Sequence, residues 1–290
     1  MTRHRLNKVL GVFTALIGGC TASGSRAPTI PAPVPAETDT GSTEDLGELR
    51  FSAGSFHYHL REKTRIQAQG SADTTSSAIT TTALLSVEVT PYGDSDYDVV
   101  VSIDSLKIST EGLIPSRSAT GISSLGPILR ASFRADTTTV NSYLPDSLCA
   151  YSQFIMAARR ILLPRVPVRI RTLPPEVWVD TATITSCRAG SRIEMLTSQE
   201  IRPLGQEPHK FALHETTELR GAGILHRDSV VVSGSIRTLG SVSFPRRSRL
   251  PSLVETESDG SITVRLGSSI IVFQQSSTQH IEQDEVRLPN

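Results

Sequence analysis

Alternation of apolar and polar residues with a period of two runs through most of this chain after residue 48. Such alternation is typical of a β-strand with one face buried and the other in water. Phe56, Tyr58 and Leu60 illustrate it, because a histidine separates each from the next. The first three predicted strands are residues 50–69, 78–90 and 97–109. A turn over residues 91–96 joins the last two, so the pattern predicts an antiparallel meander.

The third predicted strand changes phase along its length. Val99, Val101 and Ile103 have odd numbers, whereas Leu106 and Ile108 have even numbers. We expect all five side chains to face inward, on either side of that change.

Further strands are predicted between residues 128 and 139 and in three C-terminal hairpins. The hairpins pair residues 177–187 with 192–201, 208–219 with 224–238, and 250–257 with 261–274. Their turns are assigned to the polar, glycine-containing segments Arg188–Ser191, Arg220–Gly223 and Ser258–Gly260. Residues 276–290 are polar and are predicted to form a tail.

Helical periodicity is found in one segment, after Pro145-Asp146-Ser147 and before Pro164. Its apolar residues recur at spacings of three and four: Leu148, Tyr151, Ile155, Ala158 and Leu162. The chain is therefore predicted to be mainly β, with an antiparallel curved sheet or half-open barrel and one packed α-helix over residues 146–162. Residues 49–275 would form a single domain, and loose similarity leaves open two similar halves around the helix.

This order of elements is similar to the architecture of bacterial lipoprotein carriers of the LolA/LolB kind. No diagnostic motif of that family is matched, so the similarity implies a fold and no function.

The first twenty residues have the features of an export signal. Arg3, Arg5 and Lys8 precede a short apolar run, residues 9–17, which is well below the ~18 residues that a membrane-spanning helix needs.

The run ends in Ile17-Gly18-Gly19-Cys20, which resembles the lipobox of bacterial lipoproteins. That resemblance implies removal of residues 1–19 and attachment of diacylglycerol to the sulfur of Cys20. Thr21, in place of the aspartate typical of inner-membrane retention, implies the outer membrane as destination. An ordinary secretory signal cut elsewhere is the alternative.

Residues 20–48 are rich in Ser, Thr, Pro and Ala and contain almost no large apolar side chain. Such a segment cannot bury a core, and we expect a lipidated, disordered tether. The expected location is therefore the cell envelope, with the protein anchored in the membrane and facing the periplasm.

The whole chain has 29 Lys and Arg against 29 Asp and Glu. Three of the basic residues lie in the signal, so the mature chain has 26 basic and 29 acidic residues, a net charge of −3. Nucleic-acid partners require a basic face, and this balance argues against them.

With Cys20 acylated, Cys149 and Cys187 remain as a pair in an oxidising compartment. A disulfide between them would contribute roughly 3–4 kcal/mol by the chain-entropy argument. Two separate buried thiols are the alternative.

Several polar clusters invite a chemical interpretation. His57 and His59 share one strand face and could supply half of a zinc site, completed by His209, His214 or His226; a solvated face is the simpler interpretation.

Asp94, Asp96 and Asp98 have the spacing of calcium ligands, but the strand follows at once, which favours a solvated turn. Two basic stretches could contact anionic headgroups or be solvated: Arg159, Arg160, Arg165, Arg169 and Arg171, and Arg246, Arg247 and Arg249.

None of the catalytic motifs sought occurs, including Gly-x-Ser-x-Gly, Ser-x-x-Lys and His-Glu-x-x-His. We therefore expect no enzyme and no cofactor. The leading hypothesis is a structural or partner-binding envelope module, whose partner would be an envelope protein. The alternatives are a carrier of an apolar, lipid-like ligand in a β cavity and a hydrolase with scattered residues.

Overall fold

The computed structural model describes residues 51–69, 76–93, 96–112, 124–134, 138–142, 153–162, 177–188, 191–204, 207–225, 228–245 and 248–284. The signal, the tether, Cys20 and Cys149 lie outside these residues.

One antiparallel sheet of 11 strands makes up most of the described structure. The strands are β1 (Gly54–Gln69), β2 (Ser76–Pro91), β3 (Tyr97–Gly112), β4 (Gly126–Phe133), β5 (Thr138–Ser142), β6 (Trp178–Arg188), β7 (Ser191–Leu204), β8 (Glu207–Leu225), β9 (Asp228–Ser243), β10 (Leu253–Leu266) and β11 (Ser269–Gln283). The helix α1 (Gln153–Ile161) lies between β5 and β6 in the sequence. The sheet curls into a half-barrel, which confirms the predicted fold class.

Two meanders joined at one seam build the sheet. Its order is β5-β4-β3-β2-β1-β11-β10-β9-β8-β7-β6, so β1–β5 and β6–β11 each run in sequence. The first and last strands pair at the seam, from Tyr58 opposite Gln283 to Gln69 opposite Val272. The segment that contains α1 therefore connects one edge of the sheet to the other.

The predicted change of phase in β3 corresponds to a register shift. Leu84 pairs with Ser105 and Leu85 pairs with Ile103, which leaves Asp104 as an extra residue. An extra residue rotates the following side chains to the other face. Ile103 and Leu106 are consequently both buried on the inner face.

Two of the predicted turns are wrong. The segments Arg220–Gly223 and Ser258–Gly260 lie inside β8 and β10, and the latter hairpin instead turns after Leu266. Gly267, whose φ is +56°, provides the left-handed conformation at that turn. Gly260 has a different role, since a Cβ there would lie 2.4 Å from the main-chain oxygen of Ser235.

The predicted tail is also shorter than expected. Strand β11 extends to Gln283, and its residues 276–282 pair with both β1 and β10 at the seam. Exposed and buried residues alternate here, because one face of the strand is in water and the other faces the interior. Ile281, for instance, is fully buried.

Candidate functional site

A continuous row of polar side chains crosses the inner face of the sheet. Register pairs connect its members on seven adjacent strands: Thr64, Ser277, Ser258, Thr238, Glu215, Gln199 and Asp180. We call these seven residues the polar row. All but Asp180 are buried. Because inner faces are normally apolar, a polar position repeated in register on seven strands is unusual and calls for an explanation.

The polar row lies between two apolar clusters. The first contains most of α1 together with inner residues from ten strands, among them Tyr58, Leu85 and Val254. The second consists of strand residues alone, including Phe273, Ile262 and Val264. The interior is therefore divided along the strand direction into a helix-filled end and a second end lined by aliphatic side chains.

An arginine from the helix binds the polar row. Arg160 donates from Nη2 to Oε1 of Glu215 at 2.7 Å and from Nε to Oε2 at 3.2 Å. Its Nη1 donates to Oε1 of Gln279 at 2.6 Å. Gln199 donates a further hydrogen bond to Glu215 at 2.6 Å, and Gln279 donates to Glu62 at 3.3 Å. This bidentate, buried geometry is the strong form of an ion pair, and it fixes α1 against β8 and β11.

The neighbouring Arg159 is buried as well. Its Nη2 lies 3.5 Å from Oδ2 of Asp180, the end of the polar row. Burial lowers the pKa of Arg159, and the charge of Asp180 opposes that shift. The expectation of a solvated helix face, or of headgroup contacts, is therefore wrong for Arg159 and Arg160. Arg165, Arg169 and Arg171 lie outside the described residues.

The expectation of a solvated or headgroup-binding loop is also wrong for Arg249, which is buried. Its guanidinium lies over the rings of Phe51 and Phe133, 4.9 and 4.6 Å from their centroids. Burial lowers the pKa of Arg249 to about 10. Arg249 thus stabilises the packing around Phe51 and Phe133 by cation–π contact, while Arg246 and Arg247 lie outside the described residues.

The helix shows why its arginines are covered. Phe154, Ala157, Ala158 and Ile161 share one face and have no accessible surface, and the residues on the other faces are buried as well, among them Ile155, Met156 and Arg159. A helix that is buried all round lies inside a core. The sequence pattern predicted a single apolar face, whereas α1 is enclosed by the half-barrel.

The inner face as a whole is covered. Members of the second cluster expose at most 8% of their surface, and Tyr58, Leu85 and Val254 in the first expose none. An open groove would leave a strip of these side chains accessible to water. The hydroxyl of Tyr58 donates to the main-chain oxygen of Pro251 at 2.9 Å, and burial raises its pKa above the usual range.

Some polar atoms of this interior have no hydrogen-bond partner within the described structure. They include Oγ1 of Thr64, Oε1 of Gln199 and Oε1 of Gln275. An unpaired buried polar atom costs about 1–3 kcal/mol. The polar row is therefore better explained by specifying how α1 and the strands fit together than by added stability.

On the convex face the histidines pair with separate carboxylates. His57 Nδ1 lies 3.8 Å from Oδ2 of Asp104, whose Oδ1 accepts a hydrogen bond from Ser86 at 3.0 Å. His59 Nε2 lies 2.8 Å from Oδ1 of Asp284. A serine hydrolase needs the imidazole between the serine and the carboxylate, and here the carboxylate is central.

No three His, Cys, Asp or Glu side chains of the described residues form a group that could hold a metal ion. Asp98 instead accepts from Ser132 at 2.7 Å and from Arg134 at 2.9 Å. The Ser132 hydrogen bond is the main cause that lowers the pKa of Asp98. Asp96 lies 3.7 Å from the same arginine, and Asp94 falls outside the described residues.

The remaining predicted site residues are the cysteines. Cys187 lies near the end of β6, the edge strand of the sheet. Cys20 and Cys149 lie outside the described residues, so the acylation and the disulfide stay predictions. Within the described part of the chain, no helix has both the length and the apolar character needed to cross a membrane.

Comparison with known proteins gives no family. No protein-family model and no curated protein matches this sequence. Among solved structures, the chain is similar to one titled for lipid–protein interactions in lipovitellin, with 9% identity and a TM-score of 0.39 over 81% of this chain. The matched region spans only 25% of that chain.

Two further solved structures match with lower scores. OpdQ of Pseudomonas aeruginosa has 7% identity and a TM-score of 0.27, covering 79% of this chain and 98% of that chain. OmpF of Salmonella typhi has 5% identity and a TM-score of 0.27, covering 79% and 97%. Scores this low leave the argument about function to the residues themselves.

Proposed function

We propose that this chain is an envelope lipoprotein, anchored by acyl chains on Cys20 and facing the periplasm from the outer membrane. Its β domain is a non-enzymatic structural or partner-binding module. The proposal rests on the lipobox-like end of the signal for its location, and on the filled inner face for the role of the domain.

The filled inner face is the observation that favours a module over a carrier. A carrier needs an apolar cavity that its cargo can enter, and such sites are concave and largely pre-formed. Here α1 fills one end, and the side chains that line the other end are covered. The surface that remains for recognition is the convex face and the rim of the sheet.

The location is tested on protein recovered from the envelope. Mass analysis of the mature amino-terminal peptide should show it beginning at Cys20 with two or three acyl chains. Cys20→Ser should abolish acylation and release the protein from the membrane fraction. Thiol titration of the same material should find Cys149 and Cys187 oxidised. An unacylated terminus would overturn the anchor, and free thiols would overturn the disulfide.

One observation favours the carrier alternative. The second cluster is built entirely from strand side chains, mostly aliphatic, as the lining of a lipid cavity would be. Titration with the environment-sensitive dye N-phenylnaphthylamine separates the two functions. A hollow interior would bind the dye with a saturable rise in fluorescence that a fatty acid displaces, and a filled interior would give no saturable signal.

A further inference from the structure

The convex face has an apolar rim at one end of the sheet. Ile224, Val231 and Ile270 expose 70%, 46% and 57% of their surface, and they lie on β8, β9 and β11. Register pairing places Ala222, Val231, Arg265 and Ile270 side by side in one row, next to the hairpin ends. We call Ile224, Val231, Arg265 and Ile270 the rim patch.

The other exposed apolar residues of the convex face are the pair Val177 and Val179 at the β6 edge and single residues within the sheet. Leu196, for example, pairs with Thr183 on one side and Glu218 on the other. Between β8 and β11, the row next to the rim patch contains Arg220, Ser233, Thr263 and Val272, without a carboxylate. The rim patch therefore groups apolar side chains from three strands around an arginine.

Arg265 has no ion pair or hydrogen bond from its side chain to any described residue. It lies between Val231 and Ile270 in the register. A long cationic side chain among apolar neighbours suits the boundary between headgroups and acyl chains, where the stem stays in apolar surroundings and the guanidinium reaches the phosphates.

The small apolar area of the rim patch favours a membrane over a protein partner. A stable protein interface buries ~800 Å² on each side, far more than three partly exposed aliphatic side chains provide. Transfer of those side chains into an apolar layer improves partition roughly a hundredfold. That gain is enough for insertion when an anchor already holds the domain close to the membrane. The tether raises the effective concentration of the rim patch at the lipid surface to the millimolar range.

The segment between Cys20 and the sheet is long enough for the rim patch to face the membrane that holds the anchor. Phe51 packs against Phe133 and Tyr97, at the end of the sheet opposite to the rim patch. Residues 21–50 separate it from Cys20 and can span up to ~100 Å, whereas 16-residue strands are ~50 Å long.

We propose that the rim patch inserts into the lipid surface of the membrane in which the chain is anchored, and thereby sets the orientation of the domain. The inference rests on the proposed lipid anchor. The inner face plays no part in it, so a filled interior and a membrane-facing rim are compatible.

Tryptophan fluorescence gives a direct test, because the chain has a single tryptophan, Trp178. In a Trp178→Phe background, Ile270→Trp reports on the rim patch and Leu196→Trp is the matched control on the same convex face. The acylated full-length proteins are reconstituted into vesicles of phosphatidylethanolamine and phosphatidylglycerol, with or without brominated acyl chains. Circular dichroism confirms that each variant is folded.

We expect the Ile270→Trp emission to shift to the blue and to lose at least half of its intensity to brominated lipid, with little change for Leu196→Trp. Arg265→Glu in the Ile270→Trp protein should reduce the quenching at least twofold. Equal quenching at both positions, or none at either in protein that floats with the vesicles, would overturn the insertion and leave the anchor standing. Protein that fails to float would instead overturn the anchor.

Discussion

Replacing Glu215 by glutamine should destabilise the domain far more than the same change at Glu218 on the same strand. Each carboxylate has an arginine nitrogen at 2.7 Å, Arg160 for Glu215 and Arg220 for Glu218. The pairs differ in burial, since the Arg160 and Glu215 side chains expose 8% and 2% whereas Arg220 and Glu218 expose 80% and 49%. The comparison contrasts a buried, bidentate pair with an exposed pair that has one contact of the same length.

The expected magnitudes follow from that difference. Removing one partner of a buried pair leaves an uncompensated charge and costs about 3–5 kcal/mol. An exposed pair contributes less than ~1 kcal/mol. For a domain of this size 1 kcal/mol corresponds to about 2–4 °C. Glu215→Gln should therefore lower the melting temperature by about 10 °C, and Glu218→Gln should lower it by no more than a few degrees.

Thermal and urea unfolding followed by circular dichroism measure the melting temperature and the free energy of unfolding of both variants. A third protein, Arg160→Met with Glu215→Leu, should lose much less stability than the sum of its single changes, because neither charge is left alone in the core. Equal losses for Glu215→Gln and Glu218→Gln, or strict additivity in the double variant, would refute the role given to the buried pair.

Three further predictions concern other contacts. Tyr58→Phe should cost about 1–2 kcal/mol in urea unfolding, because it leaves a buried main-chain carbonyl without its donor; an unchanged midpoint would contradict this. Gly260→Ala should prevent folding or cost several kcal/mol, since its Cβ would meet main-chain oxygen, and native-like circular dichroism and stability would refute the close approach. Because the pKa of Asp98 is lowered from 3.8 in the fold, its charge contributes stability above pH 3.8 that is lost as the pH falls through the folded value. Ser132→Ala should raise that pKa in a carboxyl NMR titration, and an unmoved titration would exclude the hydrogen bond as its main cause.

The period-two pattern predicted the strands because each has one wet face. It even located the change of phase in β3, where Ile103 and Leu106 both point inward around the extra residue. Local pattern was enough there, since a single strand contains the whole signal.

Turns were harder to predict because glycine has more than one use. Gly260 looks like a turn residue beside Ser258 and Asp259, but a neighbouring strand approaches too closely for a side chain. The turn lies at Gly267, where the backbone needs a positive φ. Sequence alone does not separate these two demands on glycine.

The polar row could not be predicted, because it depends on register between strands far apart in the sequence. Thr64 and Ser277 are adjacent in space although β1 and β11 are the first and last strands. The same holds for Arg160 and Glu215, which long-range packing brings together. The sequence shows polar residues at inner positions of the strands. Their alignment into one row is seen only once the pairing register of the strands is known.

We propose a lipid-anchored domain whose interior is filled by its own side chains. Native mass spectrometry of the protein released from envelope membranes in mild detergent tests it most directly. We expect one species with the mass of the chain from Cys20 plus its acyl chains. An additional, stoichiometric lipid-sized mass that survives gas-phase activation and disappears on unfolding would contradict a filled interior.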